Sequence, residues 1–306
     1  MTPLVSIGLP VYNGGMYLRE VLESFVHQTY QNIEVIISDN ASTDDTAEIG
    51  RAYAAKDARI RYYRNPVNAG PNANFNRVFT LATGEYFMWA AHDDNWDLDY
   101  VRACLHELHQ TPTLVLVASA SKVIDLATNQ VFGLDLGCST VGLGPAERYK
   151  HYLQYLHLAN NLNTTRNCIF YGIYRRQALS RVMPTKNVMG GDHLLLAALS
   201  FLGDFKTLPE PLMTKRDGGS STSFQRLARA LGIRNPLLSY SPFLAREFYL
   251  QRIIFTTTEL APGTKLTLAL WSAGNYLRRL GLRTIHMGRR LVRRARYRIR
   301  HVAKTI

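Results

Sequence analysis

Three short polar tips, each at the end of an apolar run, hold the residues whose types could do chemistry. Asp93 and Asp94 follow Trp89-Ala90-Ala91-His92, Tyr12 and Asn13 follow Val5-Ser6-Ile7-Gly8-Leu9-Pro10-Val11, and Asp39 and Asn40 follow Ile33-Glu34-Val35-Ile36-Ile37-Ser38. Two adjacent carboxylates at the carboxyl end of a strand suit a divalent cation, and a cation there suits a diphosphate. Open α/β sheets bind ligands outside the carboxyl ends of their strands, so the three tips should face one crevice. A dinucleotide cradle would need G-x-G-x-x-G after the first strand. This chain has only Asn13-Gly14-Gly15 there. Phosphate charge must be met another way, and Asp93 and Asp94 with a metal are the route these residues offer.

The elements that must position these tips follow from periodicity. Apolar residues Leu18, Val21, Leu22, Phe25 and Val26 fall at helical spacing and predict a helix over 16–28. The run 33–38 is apolar on both faces, as in a covered parallel strand. Ser42-Thr43-Asp44-Asp45 reads as an N-cap with acidic first-turn residues, opening a helix to about Lys56. Strands are expected at 59–64, 85–91 and 114–119. Pro71 sits where a helix would begin and Gly84 where it would end, and a further helix over 98–110 stops before Pro112. This β-α alternation implies a doubly wound parallel sheet. Beyond residue 120 the pattern predicts a hairpin over 122–133 turning at Thr128-Asn129. Helices follow near 145–157, 192–202, 242–259, 263–280 and 284–300.

In this order the pieces resemble family 2 glycosyltransferases of the inverting GT-A type. The carriers are Val5 to Asn13; Ile36-Ile37-Ser38-Asp39-Asn40-Ala41-Ser42-Thr43-Asp44-Asp45-Thr46; Arg64-Asn65-Pro66-Val67-Asn68-Ala69-Gly70; Asn76; Gly84-Glu85-Tyr86; and His92-Asp93-Asp94-Asn95. The resemblance covers about residues 3–220. It implies a GT-A fold: a Rossmann-like, mostly parallel sheet flanked by helices, here with a helical basic C-terminal extension from about 221. It further implies that Pro10, Val11, Tyr12 and Asn13 line a nucleotide pocket, with Tyr12 against the base. Asp39 would accept the imide N–H of uracil or thymine, and Asn68, Asn76 and Asp93 would complete the nucleotide contacts. Asp93 and Asp94 would hold Mg²⁺ or Mn²⁺. The commoner form of that motif has another Asp two positions before the pair, where this chain has Ala91. Asp192, in Gly190-Gly191-Asp192-His193, matches the position of the base, and Arg216 that of a residue facing the diphosphate. The implied donor is a UDP- or dTDP-sugar, and the implied acceptor a glycan or lipid-linked hydroxyl in bacterial surface polysaccharide assembly. Two other classes stay open: a nucleotide-sugar-binding protein without catalysis, and a basic membrane or nucleic-acid adaptor.

Composition bounds the setting. The 306 residues carry a net charge of +13, unevenly spread. Residues 262–306 hold twelve Lys and Arg and no Asp or Glu, leaving 24 basic against 23 acidic residues elsewhere. Arg289, Arg293, Arg296 and Arg300 form a stripe beside Ile285, Val292 and Ile299, with Leu266, Leu268, Leu270 and Trp271 adding apolar bulk upstream. That pattern suits an anionic membrane surface. Arginine density also fits nucleic-acid phosphates, but no recognition motif accompanies it. No apolar run reaches the length of a membrane span, and the first residues lack the features of a signal peptide. Cys104, Cys138 and Cys168 are scattered, as expected of buried small hydrophobes in a reducing cytoplasm. The expected location is cytoplasmic, peripheral at the inner face of the membrane.

Overall fold

The computed structural model describes residues 2–126, 128–162, 167–188, 190–217 and 242–278. The chain divides into two compact units, 1–246 and 247–306. The expected border near 220, and the helix expected over 284–300, lie outside the described residues.

The first half follows the predicted alternation. Strand β1 (Val5–Val11) leads to helix α1 (Gly15–Val26), β2 (Ile33–Asp39), α2 (Thr46–Lys56), β3 (Ile60–Arg64), α3 (Pro71–Leu81) and β4 (Tyr86–Trp89). Every residue of β1 and β2 is buried, which explains why apolar residues dominate both faces of these strands, and the buried Ser6 hydroxyl and Glu34 carboxylate pair with each other. β1 pairs in parallel with β2 on one side and β4 on the other, and β2 pairs in parallel with β3. That register sets Val11 beside Asp39 and Asp39 beside Arg64, so the strand ends align. α1 buries Leu18, Val21, Leu22 and Phe25 against the sheet, the face its spacing predicts.

The rest departs from a doubly wound parallel sheet. After β5 (Asn95–Trp96) and α4 (Tyr100–Gln110), β6 (Leu114–Asp125) runs into a hairpin with β7 (Val131–Asp135). Its turn includes Asn129 at φ 54°, and the Thr128 N–H donates to Asp125. Then come α5 (Pro145–Leu162), a 3₁₀ turn (Cys168–Tyr171), β8 (Ile173–Arg175), α6 (Arg176–Ser180), α7 (Gly191–Leu199) and β9 (Asp204–Asp217). The sheet order is β3-β2-β1-β4-β8-β6-β9-β5, with β7 beside β6. Short β8 lies antiparallel between β4 and β6, so β6 does not extend the parallel half as expected. β9 runs parallel to β6, although Pro209 and Pro211 argue against a strand. The ladder explains this. Pairing passes from Ser119–Leu208 to Ser121–Met213, and the prolines fall in the skipped segment, where no ladder donor is needed.

An aromatic core fills the space under the junction of the two halves. Trp89 stacks on Phe170, with centroids 4.8 Å apart and planes 11° off parallel, and meets Phe87 and Tyr174 edge-on. Its indole N–H donates to the Phe75 carbonyl. Cys104, Cys138 and Cys168 are all buried free thiols, and burial pushes Cys138 up to about 12.

Helix α8 (Pro242–Thr256) enters the second unit. There its Leu250 and Ile254 are buried, as are Leu268 and Ser272 of a helix, α9, described over 262–278. Glu247 accepts from Ser272, and Gln251 donates to the Ala269 carbonyl, closing a helical hairpin.

Candidate active site

The β1, β2 and β4 tips do converge. Asn13 carries φ 50°, and its amide oxygen accepts the Thr43 N–H at 2.8 Å while its own N–H donates to Ser42. Asp44 accepts the Gly15 N–H and, through its other oxygen, the Thr46 N–H, tying the starts of α1 and α2 together, while the N-cap residue of α2, Asp45, makes no side-chain capping bond. A Cβ on Gly14 would meet the His92 ring at 2.8 Å, so the β1 and β4 tips touch. Pro10 and Val11 are buried strand residues, whereas Tyr12 projects half-exposed from the tip.

Asp39 is fully buried, and the chain's own donors surround it. Ser42 N–H donates to one oxygen at 2.8 Å; the Tyr62 hydroxyl and the Arg64 guanidinium reach the other at 2.6 and 2.5 Å. Burial alone would raise the carboxyl pKa. The hydrogen bonds from Ser42 and Tyr62, with the Arg64 charge, outweigh it and hold the pKa below the usual value. Gly50 makes room for this arrangement, since a Cβ there would meet the Tyr62 ring at 2.5 Å.

Asn68 and Asn76 serve as ties between loops. Asn68 accepts from the Asn40 amide and from the Gly70 N–H. Asn40 in turn accepts from Asn65 and from the Ala69 N–H, and Asn74 bridges Asn65 and Ser38. Asn76 accepts both the N–H and the hydroxyl of Thr185.

β9 delivers Lys215 and Arg216 to the carboxylate pair. Asp94 is fully buried; Lys215 Nζ lies 3.2 Å from one of its oxygens, and the Arg216 N–H donates to the other at 3.0 Å. The Arg216 guanidinium donates to the Asp93 carbonyl and to Glu20, and lies 4.9 Å over the Tyr17 ring. Lys215 Nζ lies 5.0 Å over the Tyr171 ring. Burial works against the Lys215 ammonium, but Tyr171 and Asp94 outweigh it and its pKa is raised.

Asp192 opens α7, in the first turn after Gly190 at φ 76°. Asn167 Nδ2 donates to its Oδ2 at 2.9 Å. His193 Nε2 lies 3.5 Å from the same oxygen, and Arg246 lies 3.4 Å from the other ring nitrogen. Burial, countered by Asp192 and reinforced by Arg246, lowers the His193 pKa, so at neutral pH an uncharged ring stands beside Asp192. Burial raises the pKa of the Tyr171 phenol, as do Asp94, Asp93 and Asp192.

The structure thus brings Asp93, Asp94 and Arg216 together. It adds Tyr171, Asn167, Glu20 and Tyr62, which the sequence did not single out, and gives contacts to Lys215 and Arg64, which lay in the resembling segments without a role of their own. Mg²⁺ and Mn²⁺ take one or two protein carboxylates and fill the remaining positions with phosphate oxygens and water. Asp93, which solvent reaches, fits that demand. Asp94 has both oxygens engaged, and among the described residues no group of three His, Cys, Asp or Glu forms a cage.

Residues 6–183 match the family model for glycosyl transferase family 2. A 135-residue stretch is 36% identical to an uncharacterized glycosyltransferase, RT0329, of Rickettsia typhi, covering 43% of this chain and 40% of that one. Another of 129 residues is 36% identical to an uncharacterized glycosyltransferase of Haemophilus influenzae, covering 42% and 51%. The matched region spans about half or less of these relatives' length. Among solved structures, TarS of S. aureus in complex with UDP-GlcNAc is similar with a TM-score of 0.60 at 16% identity, covering 87% of this chain and 70% of that one. The mannosyltransferase PcManGT from Pyrobaculum calidifontis, in complex with GDP-Man and Mn²⁺, gives 0.51 at 18% identity, covering 93% and 80%. At such identities the likeness is one of fold.

Proposed function

Because the chain belongs to glycosyl transferase family 2, and its sheet is of the GT-A type, we propose that it moves a sugar from a UDP- or dTDP-sugar to an acceptor hydroxyl with inversion. The observation that carries this reading is the convergence of the strand tips: the β4 tip with Asp93 and Asp94 lies against the β1 tip, and β9 brings Arg216 to both carboxylate residues. Asn167 and His193 hold the Asp192 carboxylate in place at the start of α7. In the proposed reaction Asp192 accepts the hydroxyl proton as the acceptor oxygen attacks the anomeric carbon. The bond from that carbon to the diphosphate breaks on the opposite face, and the diphosphate leaves with the electron pair. Arg216, anchored by Glu20 and stacked on Tyr17, presents positive charge on the Asp93 side of the crevice. A bound Mg²⁺ or Mn²⁺, held by Asp93, would supply further charge neutralisation to the diphosphate. Tyr12, exposed at the β1 tip, would stack on the base, and the Asp39 cluster would read its edge.

The acceptor would be a glycan or lipid-linked hydroxyl, with the second unit resting on an anionic membrane. The hairpin supports this. Phe248, Phe255, Leu266, Leu270 and Leu277 are all more than half exposed, whereas Leu268 turns inward. The twelve basic residues of 262–306 supply the matching charge. No described helix is long and apolar enough to cross a membrane.

Thermal-shift titration with UDP, dTDP, GDP and ADP, each with Mn²⁺ or EDTA, tests the donor assignment, since a ligand of the folded state raises Tm. A rise with UDP or dTDP supports it, and no rise with any nucleotide overturns it. Asp192→Asn should keep that rise and lose turnover.

A further inference from the structure

We infer that Lys215 locks Asp94 against divalent cations until a nucleotide arrives, so that metal and donor are taken up together rather than metal first. The inference rests on the donor reading above and concerns the neighbour of Arg216 on β9.

Asp94 has no solvent-exposed surface, and each of its oxygens already has a partner from β9: the Lys215 ammonium on one, the Arg216 backbone N–H on the other. Lys215 is itself confined, with only 18% of its side chain exposed and the Tyr171 ring beneath it. A dication cannot reach Asp94 unless this ammonium withdraws. Asp93 is the other carboxylate of the pair, and the Arg216 guanidinium binds its backbone carbonyl. Lys215 thus matches the Asp94 charge directly, while the Arg216 guanidinium is shared between the Asp93 carbonyl and Glu20. Divalent sites gain affinity from free carboxylate charge and from ligand number, and in the donor-free protein Asp94 offers neither. A diphosphate changes both terms. It brings oxygen ligands, and its negative charge gives Lys215 a second anion to face.

Replacing the lysine by a neutral side chain should open the lock. Mn²⁺ binding followed by water-proton relaxation, with and without UDP, reads this out without reference to turnover. In the unaltered chain, Mn²⁺ should bind at least about tenfold more weakly without UDP than with it. Lys215→Gln should raise nucleotide-free Mn²⁺ affinity by roughly tenfold, as expected when one unit of like charge leaves a partly buried site. Lys215→Arg keeps the charge and should remain locked. Nucleotide-free Mn²⁺ binding as tight as with UDP in the unaltered chain would overturn the inference. So would a folded Lys215→Gln variant with unchanged nucleotide-free affinity. Circular dichroism reports whether that variant folds; if it does not, the comparison with and without UDP in the unaltered chain decides. A failure of UDP to bind under any condition would instead count against the donor reading, and the lock would still be judged by Mn²⁺ alone in the unaltered chain and Lys215→Gln.

Discussion

Asn167 Nδ2 donates to Asp192 Oδ2 at 2.9 Å from a backbone held in the left-handed region, at φ 54°. The residue is fixed from its other side as well: the N–H of the next residue, Cys168, donates to buried Asp135, which Tyr155 also binds. An asparagine tolerates this conformation better than most side chains. Its position therefore serves both the turn and the carboxylate.

Asn167→Gly removes the amide while keeping the φ the turn requires. It should lower kcat by about tenfold to a hundredfold, the scale of a misplaced reacting group, with KM for the donor little changed. Steady-state kinetics on purified protein check this; an unchanged kcat would remove Asn167 from the positioning of Asp192.

Asp39 makes stability depend on acid. Its folded pKa lies below the unfolded value of about 3.9. The contribution is therefore complete above that value and is lost as pH falls through the lower folded pKa. Asp39→Asn should melt lower than the unaltered chain at neutral pH, and the gap should close on titration below about pH 4. Melting curves from neutral pH to pH 2 test this; a gap that stays constant would refute the assignment.

Ala41 has φ 62°, and the other described non-glycine residues with positive φ (Asn13, Asn129 and Asn167) are all asparagines. Ala41→Gly should relieve this strain and stabilise the fold by roughly 0.5–1 kcal/mol. Urea unfolding should show a higher midpoint with the same slope.

Trp89 fixes the aromatic core between β4 and the 3₁₀ turn that carries Phe170. Trp89→Ala should cost about 3–5 kcal/mol, enough to leave much of the protein unfolded at growth temperature. Soluble yield and a Tm measurement would show it.

The exposed hairpin residues make a separate forecast. Leu266→Ser with Leu270→Ser should reduce sedimentation with vesicles of phosphatidylglycerol and phosphatidylcholine, leaving UDP-dependent thermal shifts intact. Equal sedimentation of the variant would assign vesicle binding to charge alone.

The parallel half was legible because β1, β2 and α1 carry long, regular patterns and Pro71 marks the start of α3. The second half was not. β8 is three residues long, too short for a period, and the prolines of β9 speak against a strand unless its ladder skips. The site divides the same way. Asp39, Asp93 and Asp94 stand at the ends of readable strands, and Arg216 joins them from β9. Asn167 left no local signal, because its partner lies 25 residues away in sequence, and the pairing of Lys215 with Asp94 spans 121 residues. Asn68 and Asn76 were expected at the nucleotide, and their amides are found tying loops together.

Those amide ties lend the crevice an unequal response to salt. Asn40, Asn65, Asn68 and Asn74 join the β2 tip to the start of α3 through uncharged bonds, which dissolved ions hardly weaken. Lys215, Arg216 and Glu20 hold the opposite wall by charge, which ions screen within about 8 Å at physiological strength. Raising ionic strength should loosen the grip on phosphates while the amide-tied frame of the other wall keeps its shape, so nucleotide affinity would fall without loss of the fold around the β2 tip.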